Sequence, residues 1–116
     1  HYLKLNGKWL NSNMVLTPFD FHLGVGQIYA SNVPVVDSII GYIQNYFYVS
    51  LPNSAFSITN GQVKEIQIVM EIQNWFNNPV YDHNVYGSYT MQNQQAMQAI
   101  KENGDDVFSI GYIKDI

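Results

Sequence analysis

Tyr2-Leu3-Lys4-Leu5-Asn6-Gly7-Lys8-Trp9-Leu10 decides the fold class, because its side chains alternate: Leu3, Leu5, Gly7 and Trp9 fall on one side, and Tyr2, Lys4, Asn6 and Lys8 on the other. A period of two marks a half-buried β-strand, whose successive side chains point to opposite faces. Asn11-Ser12-Asn13 supplies turn residues. Val15 to Leu23 then resumes an extended run, with Pro18 near its start, where a missing N–H is tolerated. The segment reads as a hairpin, and Gly24-Val25-Gly26 loosens the backbone at its exit.

Further along, Gln27 to Pro34 reads as loop. Val35 to Gln44 stays open between helix and strand: Val36, Ile39, Ile40 and Ile43 fit a helical stripe, while β-branching favours a strand. Tyr42 to Leu51 predicts a strand with Ile43, Asn45, Phe47, Val49 and Leu51 on one face and an aromatic outer face of Tyr42, Tyr46 and Tyr48. Pro52-Asn53 ends it. Asn60-Gly61 is a hairpin signal and predicts pairing of Ala55 to Thr59 with Gln62 to Gln73. Asn74 to Pro79 is turn-rich, and Val80 to Tyr89 has no sustained period and reads as a long loop.

From Asn93 to Asn103 the propensities turn helical, with Thr90 or Asn93 as cap and Gly104 as the stop. Met97 and Ile100 form its contact line, with Ala96 and Ala99 beside them, and Val107 to Ile113 is a last strand. Five or six strands and one short late helix predict a mostly β chain, an antiparallel β-sandwich of Ig-like or Greek-key type or a partial barrel.

At 116 residues and 13.3 kDa the chain is a single domain at most. Several strands are apolar enough to want cover on both faces, and the chain starts at His1 rather than Met. The chain is therefore read as beginning after processing or partway through a longer gene product, and a complete sandwich of this kind is expected to have more chain.

Composition narrows the function. With 47% hydrophobic, 15% aromatic and 12% charged residues the chain is too apolar for disorder. A net charge of −4, carried with five Lys and no Arg, argues against nucleic acid. No run approaches the roughly 18 apolar residues of a transmembrane helix. The absence of Cys excludes disulfides, Cys-rich zinc sites and thiol chemistry. Thirteen Asn and nine Gln as the main polar component suit an extracellular or periplasmic surface. No G-x-S-x-G, H-E-x-x-H or P-loop pattern occurs, so an enzyme has no motif behind it.

Two histidines carry the candidate chemistry. His22 lies in the run Phe19-Asp20-Phe21-His22-Leu23-Gly24, at the end of a strand, where it is either a metal ligand or a core imidazole oriented by a carboxylate. His83 lies in Tyr81-Asp82-His83-Asn84, where Asp82 can ligate or fix the tautomer, or where Asp82 or Asn84 builds an Asx turn. Together they offer imidazoles from distant segments. Met91, Met97 or Trp9 would complete a soft site suited to copper, although core filling is the ordinary role of both methionines.

Asp105-Asp106 has no EF-hand spacing and reads as a solvated acidic turn. Asp20 with Asp82, or Glu65 with Glu71, would be glycosidase carboxylate pairs only at a separation that sequence does not give. Tyr42, Tyr46 and Tyr48 can stack on sugar rings or bury beneath a partner sheet, and a contiguous aromatic patch favours burial.

Three segments carry a family resemblance: His1-Tyr2-Leu3-Lys4-Leu5-Asn6-Gly7-Lys8-Trp9, the Phe19 to Gly24 run, and Asn74-Trp75-Phe76-Asn77-Asn78-Pro79 through Glu102-Asn103-Gly104-Asp105-Asp106-Val107-Phe108. In order and spacing they resemble the C-terminal half of the MbnP-like copper-binding domain, which implies that residues 1–116 are the C-terminal part of a larger β-sandwich domain. The resemblance implies a secreted, periplasmic or cell-surface β-rich lipoprotein, anchored through a missing N-terminus, that holds copper through histidines and an oxidised tryptophan. It implies His22 as the first metal ligand and His83 as the second; the family's Trp-rich segment belongs to the missing N-terminal half, and Trp9 is only a weak substitute for it. The missing N-terminal half of the domain then becomes a partner that covers the Tyr-rich face. The leading expectation is a non-enzymatic copper-binding β-sandwich. The alternative is a cell-surface interaction or glycan-binding module without metal.

Overall fold

The computed structural model describes residues 2–30, 38–91 and 93–116. The strands of the described residues form three two-stranded antiparallel ribbons. In the first, β1 (Leu3–Leu10) and β2 (Leu16–Leu23) pair from Leu3 opposite Leu23 to Leu10 opposite Leu16, the expected hairpin. Its turn is built by Asn11, whose side-chain oxygen accepts the N–H groups of Asn13 and Val15 at 2.9 Å each. Such local side-chain bonding is why Asn opens turns.

The other edge of β2 is sealed by the chain at Ser88 to Thr90. Asp20 donates its N–H to the Ser88 carbonyl (2.8 Å) and accepts the N–H of Thr90 (3.3 Å). Beyond that point the Thr90 hydroxyl takes over. It accepts the His22 N–H at 2.6 Å and donates to the His22 carbonyl at 2.7 Å, satisfying both backbone groups with one buried side chain.

In the second ribbon β3 (Gly26–Tyr29) pairs with β4 (Ile39–Ile43). The loop expected from Gln27 is therefore corrected, since Gln27 to Tyr29 is strand; the open segment Val35 to Gln44 is strand over Ile39 to Ile43, and residues 31–37 lie outside the described residues. The strand expected from Tyr42 to Leu51 keeps its ladder only to Ile43. The alternation of burial nevertheless continues, with Asn45, Phe47, Val49 and Leu51 turned inward and Tyr46, Tyr48 and Ser50 outward. Asn45 anchors this extended stretch. It is fully buried, donates to the Gly24 carbonyl (2.8 Å) and accepts from the Gln94 side chain (2.8 Å).

The third ribbon joins β5 (Lys64–Met70) to β6 (Phe108–Asp115). It replaces the hairpin expected at Asn60-Gly61. The tight turn forms, with the Gln62 N–H on the Thr59 carbonyl at 3.0 Å, but only Gly61 takes a positive φ, of 85°. A turn with positive φ at its second central residue alone is of type II kind, whose twist splays the flanking strands. β5 finds its partner about 40 residues downstream instead, pairing Ile66 with Ile113 and Ile68 with Ile110.

The core forms where α2 (Gln94–Asn103) lies against β2 and a 3-10 turn at Ile72–Phe76. Asn93 caps α2 by accepting the Ala96 N–H at 3.0 Å, and Ala96, Met97, Ala99 and Ile100 are buried as expected. Trp75 sits at the centre in edge-on contact with Phe21 (6.1 Å), Phe47 (5.7 Å) and Phe108 (6.0 Å), the arrangement aromatic quadrupoles prefer. Its carbonyl accepts from the Asn103 side chain at 2.7 Å. Gly104 is not the left-handed stop expected: its φ is −55°, the chain continues as a 3-10 turn to Asp106, and the ring of Phe47 occupies the space a side chain would need. Among the described residues no helix is long and apolar enough to cross a membrane.

Candidate functional site

The residues of the first hairpin fix the site. Cross-strand partners share a face, so Leu3, Leu5, Gly7 and Trp9 line up with Leu23, Phe21, Phe19 and Thr17, while Asp20 and His22 share the opposite face with Asn6 and Lys4. Gly7 stands opposite Phe19, and a Cβ there would meet the Phe19 ring at 2.8 Å. Glycine thus lets Phe19 lie flat across β1. The flat ring becomes a seat.

The segment expected as a featureless loop provides what sits on it. Asp82 accepts the Asn84 N–H (2.8 Å) and its side-chain amide (3.0 Å), an Asx turn that starts the one-turn helix α1 (His83–Tyr86). The helix places the His83 ring 4.8 Å from Phe19 and stacks it on Trp9 at 5.1 Å. Tyr81 meets it edge-on at 5.0 Å and Phe76 lies at 5.8 Å. These rings and Lys8 line an open hollow of about 280 Å³.

Burial holds the His83 imidazole below its ordinary pKa of 6.5, against the opposing pull of the Gly87 carbonyl and of Asp82. The ring is neutral at pH 7. Its Nδ1 lies 3.3 Å from the Gly87 carbonyl; a proton assigned to that atom leaves Nε2 as the acceptor. Burial, and then the neighbouring Tyr86, push the Tyr81 hydroxyl well above the usual phenol range, so it stays a protonated donor. Neither that hydroxyl nor the Trp9 indole N–H has a hydrogen-bond partner among the described residues.

His22 is elsewhere. It is buried on the opposite face of the ribbon, with Nε2 4.0 Å from the Asp20 carboxylate, the arrangement of a core imidazole beside an acid. The hairpin's pleat therefore separates the two histidines that the sequence pairs in one metal site. The further donors do not gather either: Met97 is buried with its sulfur 3.5 Å from the Asn45 amide, Met91 is exposed, and Trp9 is stacked on His83. Among the described residues no three of His, Cys, Asp and Glu come together where a metal ion would be held. The residues present do not fit a two-histidine copper centre.

Glu65 is held by Lys114 (3.3 Å) and by the Tyr112 hydroxyl, and Asp82 caps α1. Asp105 and Asp106 lie on an exposed turn, where Asp106 accepts from Asn78 at 3.1 Å.

Sequence reasoning missed Lys8, Phe19, Phe76 and Tyr81 as neighbours of His83. One signal was within reach. Once Asn11-Ser12-Asn13 is read as the turn, the hairpin register puts Gly7 against Phe19, and a glycine facing an aromatic ring across a ribbon marks a place where that ring lies down. Comparison with known protein families, curated proteins and solved structures finds no match to this chain.

Proposed function

We propose that this chain is a metal-free, non-enzymatic recognition module that works at the cell surface or outside the cell and binds a glycan ring in the hollow beside His83. The observation that carries the reading is the lining: four aromatic rings and one neutral imidazole around about 280 Å³. That volume is at the small end for ligand clefts, the size of one sugar ring. Pyranose faces are apolar and their edges carry hydroxyls. Such a ligand suits walls that offer flat rings and an imidazole acceptor.

The fold that goes with this reading is the antiparallel β-sandwich of Ig-like or Greek-key type. Its support is the pair of amphipathic ribbons, β1–β2 with one face on the core and β5–β6 with one apolar face. Copper held through His22 and His83, the function implied by the MbnP-like resemblance, is the competing reading, and the pleat weighs against it.

A glycan array followed by titration of the best hits tests the proposal. Binding should fall at least about tenfold in Trp9→Ala, the change expected when about 1.4 kcal/mol of ring contact is lost. Cu(I) titration of the same protein is the other arm. If no glycan binds, and copper binding is present in the wild type but lost in both His22→Ala and His83→Ala, the metal reading replaces this one.

A further inference from the structure

Three Asn-Gly pairs occur in the chain, at Asn6-Gly7, Asn60-Gly61 and Asn103-Gly104. Each carries the same latent chemistry. The glycine amide nitrogen can attack the side-chain carbonyl carbon of the asparagine before it, and glycine crowds that approach least because it has no Cβ. The fold decides which pair is free to react.

Two of the pairs are locked. Asn6 and Gly7 lie inside β1, where Gly7 stands opposite Phe19 and the ladder keeps the backbone extended, so the glycine nitrogen is held away from the asparagine side chain. Asn103 is fully buried, its side-chain amide donates to the Trp75 carbonyl at 2.7 Å, and the Gly104 N–H is bound by the Ile100 carbonyl at the end of α2. Asn60-Gly61 is open. Both residues are exposed on the turn that precedes β5, and neither the Asn60 side chain nor the Gly61 N–H has a hydrogen-bond partner among the described residues. Beyond its two chain neighbours, nothing lies within 4 Å of the place where a Gly61 Cβ would stand.

We propose that Asn60 is a site of spontaneous deamidation, which converts this turn into a mixture of aspartyl and isoaspartyl linkages. The Gly61 N–H gives its proton to hydroxide from the solvent, and the nitrogen forms a bond to Asn60 Cγ. The Cγ–Nδ2 bond breaks, ammonia leaves, and a cyclic imide closes. Water then opens the imide at either carbonyl. Attack at Cγ restores the ordinary backbone and leaves an aspartate; attack at the main-chain carbon leaves the chain running through the side chain, one carbon longer. The net change turns an amide and water into a carboxylate and ammonium, with no oxidant or reductant. It adds one negative charge to the chain's −4. The modified turn lies outside the β5 ladder, which begins at Lys64, so the ribbon keeps its pairing.

Peptide mapping by mass spectrometry tests this on the full chain, kept for several weeks at neutral pH and body temperature, folded in buffer and unfolded in guanidinium chloride. Asn60 should deamidate in the folded chain at a rate within about threefold of its unfolded rate, because no opening of the structure is needed. Asn6 and Asn103 react only when β1 or α2 opens, so folding should slow each of them at least about tenfold. An isoaspartyl methyltransferase should label the aged wild type, and Asn60→Gln should remove that label, since the longer side chain closes its ring far more slowly. Three results overturn the proposal. An Asn60 that stays intact in the folded chain shows that the turn withholds the nitrogen. Asn6 and Asn103 reacting as fast folded as unfolded show that the fold does not select the site, and a label that persists in Asn60→Gln places the isoaspartate elsewhere.

Discussion

His83 spends its time between the rings of Trp9 and Phe19, and its proton is the part of the site that solution conditions can reach. Burial lowers its pKa in the folded chain, so below pH 6.5 the unfolded chain binds this proton more readily than the folded one. The contribution of neutral His83 is therefore complete above about pH 6.5 and is lost as the pH falls from there through the depressed folded value. Thermal unfolding of the wild type and His83→Phe at pH 8, 6.5 and 5 should show the wild type losing ground to the variant only on the acid side. A gap that stays constant with pH would remove the imidazole from the account. The neighbouring Asp82 was legible in the sequence as an Asx-turn residue, and so was His22 as a core imidazole beside a carboxylate. Whether the two histidines meet was not. In β2 the odd-numbered Phe19 and Phe21 share one face and the even-numbered Asp20 and His22 the other, but nothing local tells which face the segment from Val80 to Tyr89 will cover.

At the scale of elements, the parts fixed by short-range chemistry were the readable ones. The β1–β2 hairpin follows from alternation and an Asn-rich turn, and α2 follows from a cap, a run of good formers and a buried stripe. Replacing the cap, Asn93→Ala, should cost about 1 kcal/mol in urea unfolding, because the Ala96 N–H loses its only acceptor on the capping side chain. An indistinguishable midpoint would mean that the first turn of α2 is held by its packing alone. The Asn60-Gly61 signal failed for a physical reason: a strong turn dipeptide fixes a reversal of the chain, not the burial that would hold two strands together. Ala55 to Thr59 is exposed throughout, whereas β6 offers β5 two isoleucine pairs and two ion pairs. The strand expected through Leu51 was half right, since the in-and-out pattern is real while the ladder stops at Ile43.

The molecule as a whole is thin and long, with extents of 57 × 39 × 19 Å and a radius of gyration of 18.3 Å against about 13 Å for a compact chain of this length. Stability should be correspondingly uneven. Asn45 to Ser50 makes no backbone-to-backbone hydrogen bond among the described residues, so its amides should exchange with deuterium within seconds. Those of α2 and of β2 near His22, where Thr90 completes the bonding, should be the slowest. Uniform protection along the chain would contradict this division. The distant union of β5 and β6 also dictates an order of events during biosynthesis. When residues 64–70 leave the ribosome their mate has not yet been translated, and a row of isoleucines must wait in water for about 40 more codons. Chaperones, or aggregation where they are scarce, should find the nascent polypeptide during that interval.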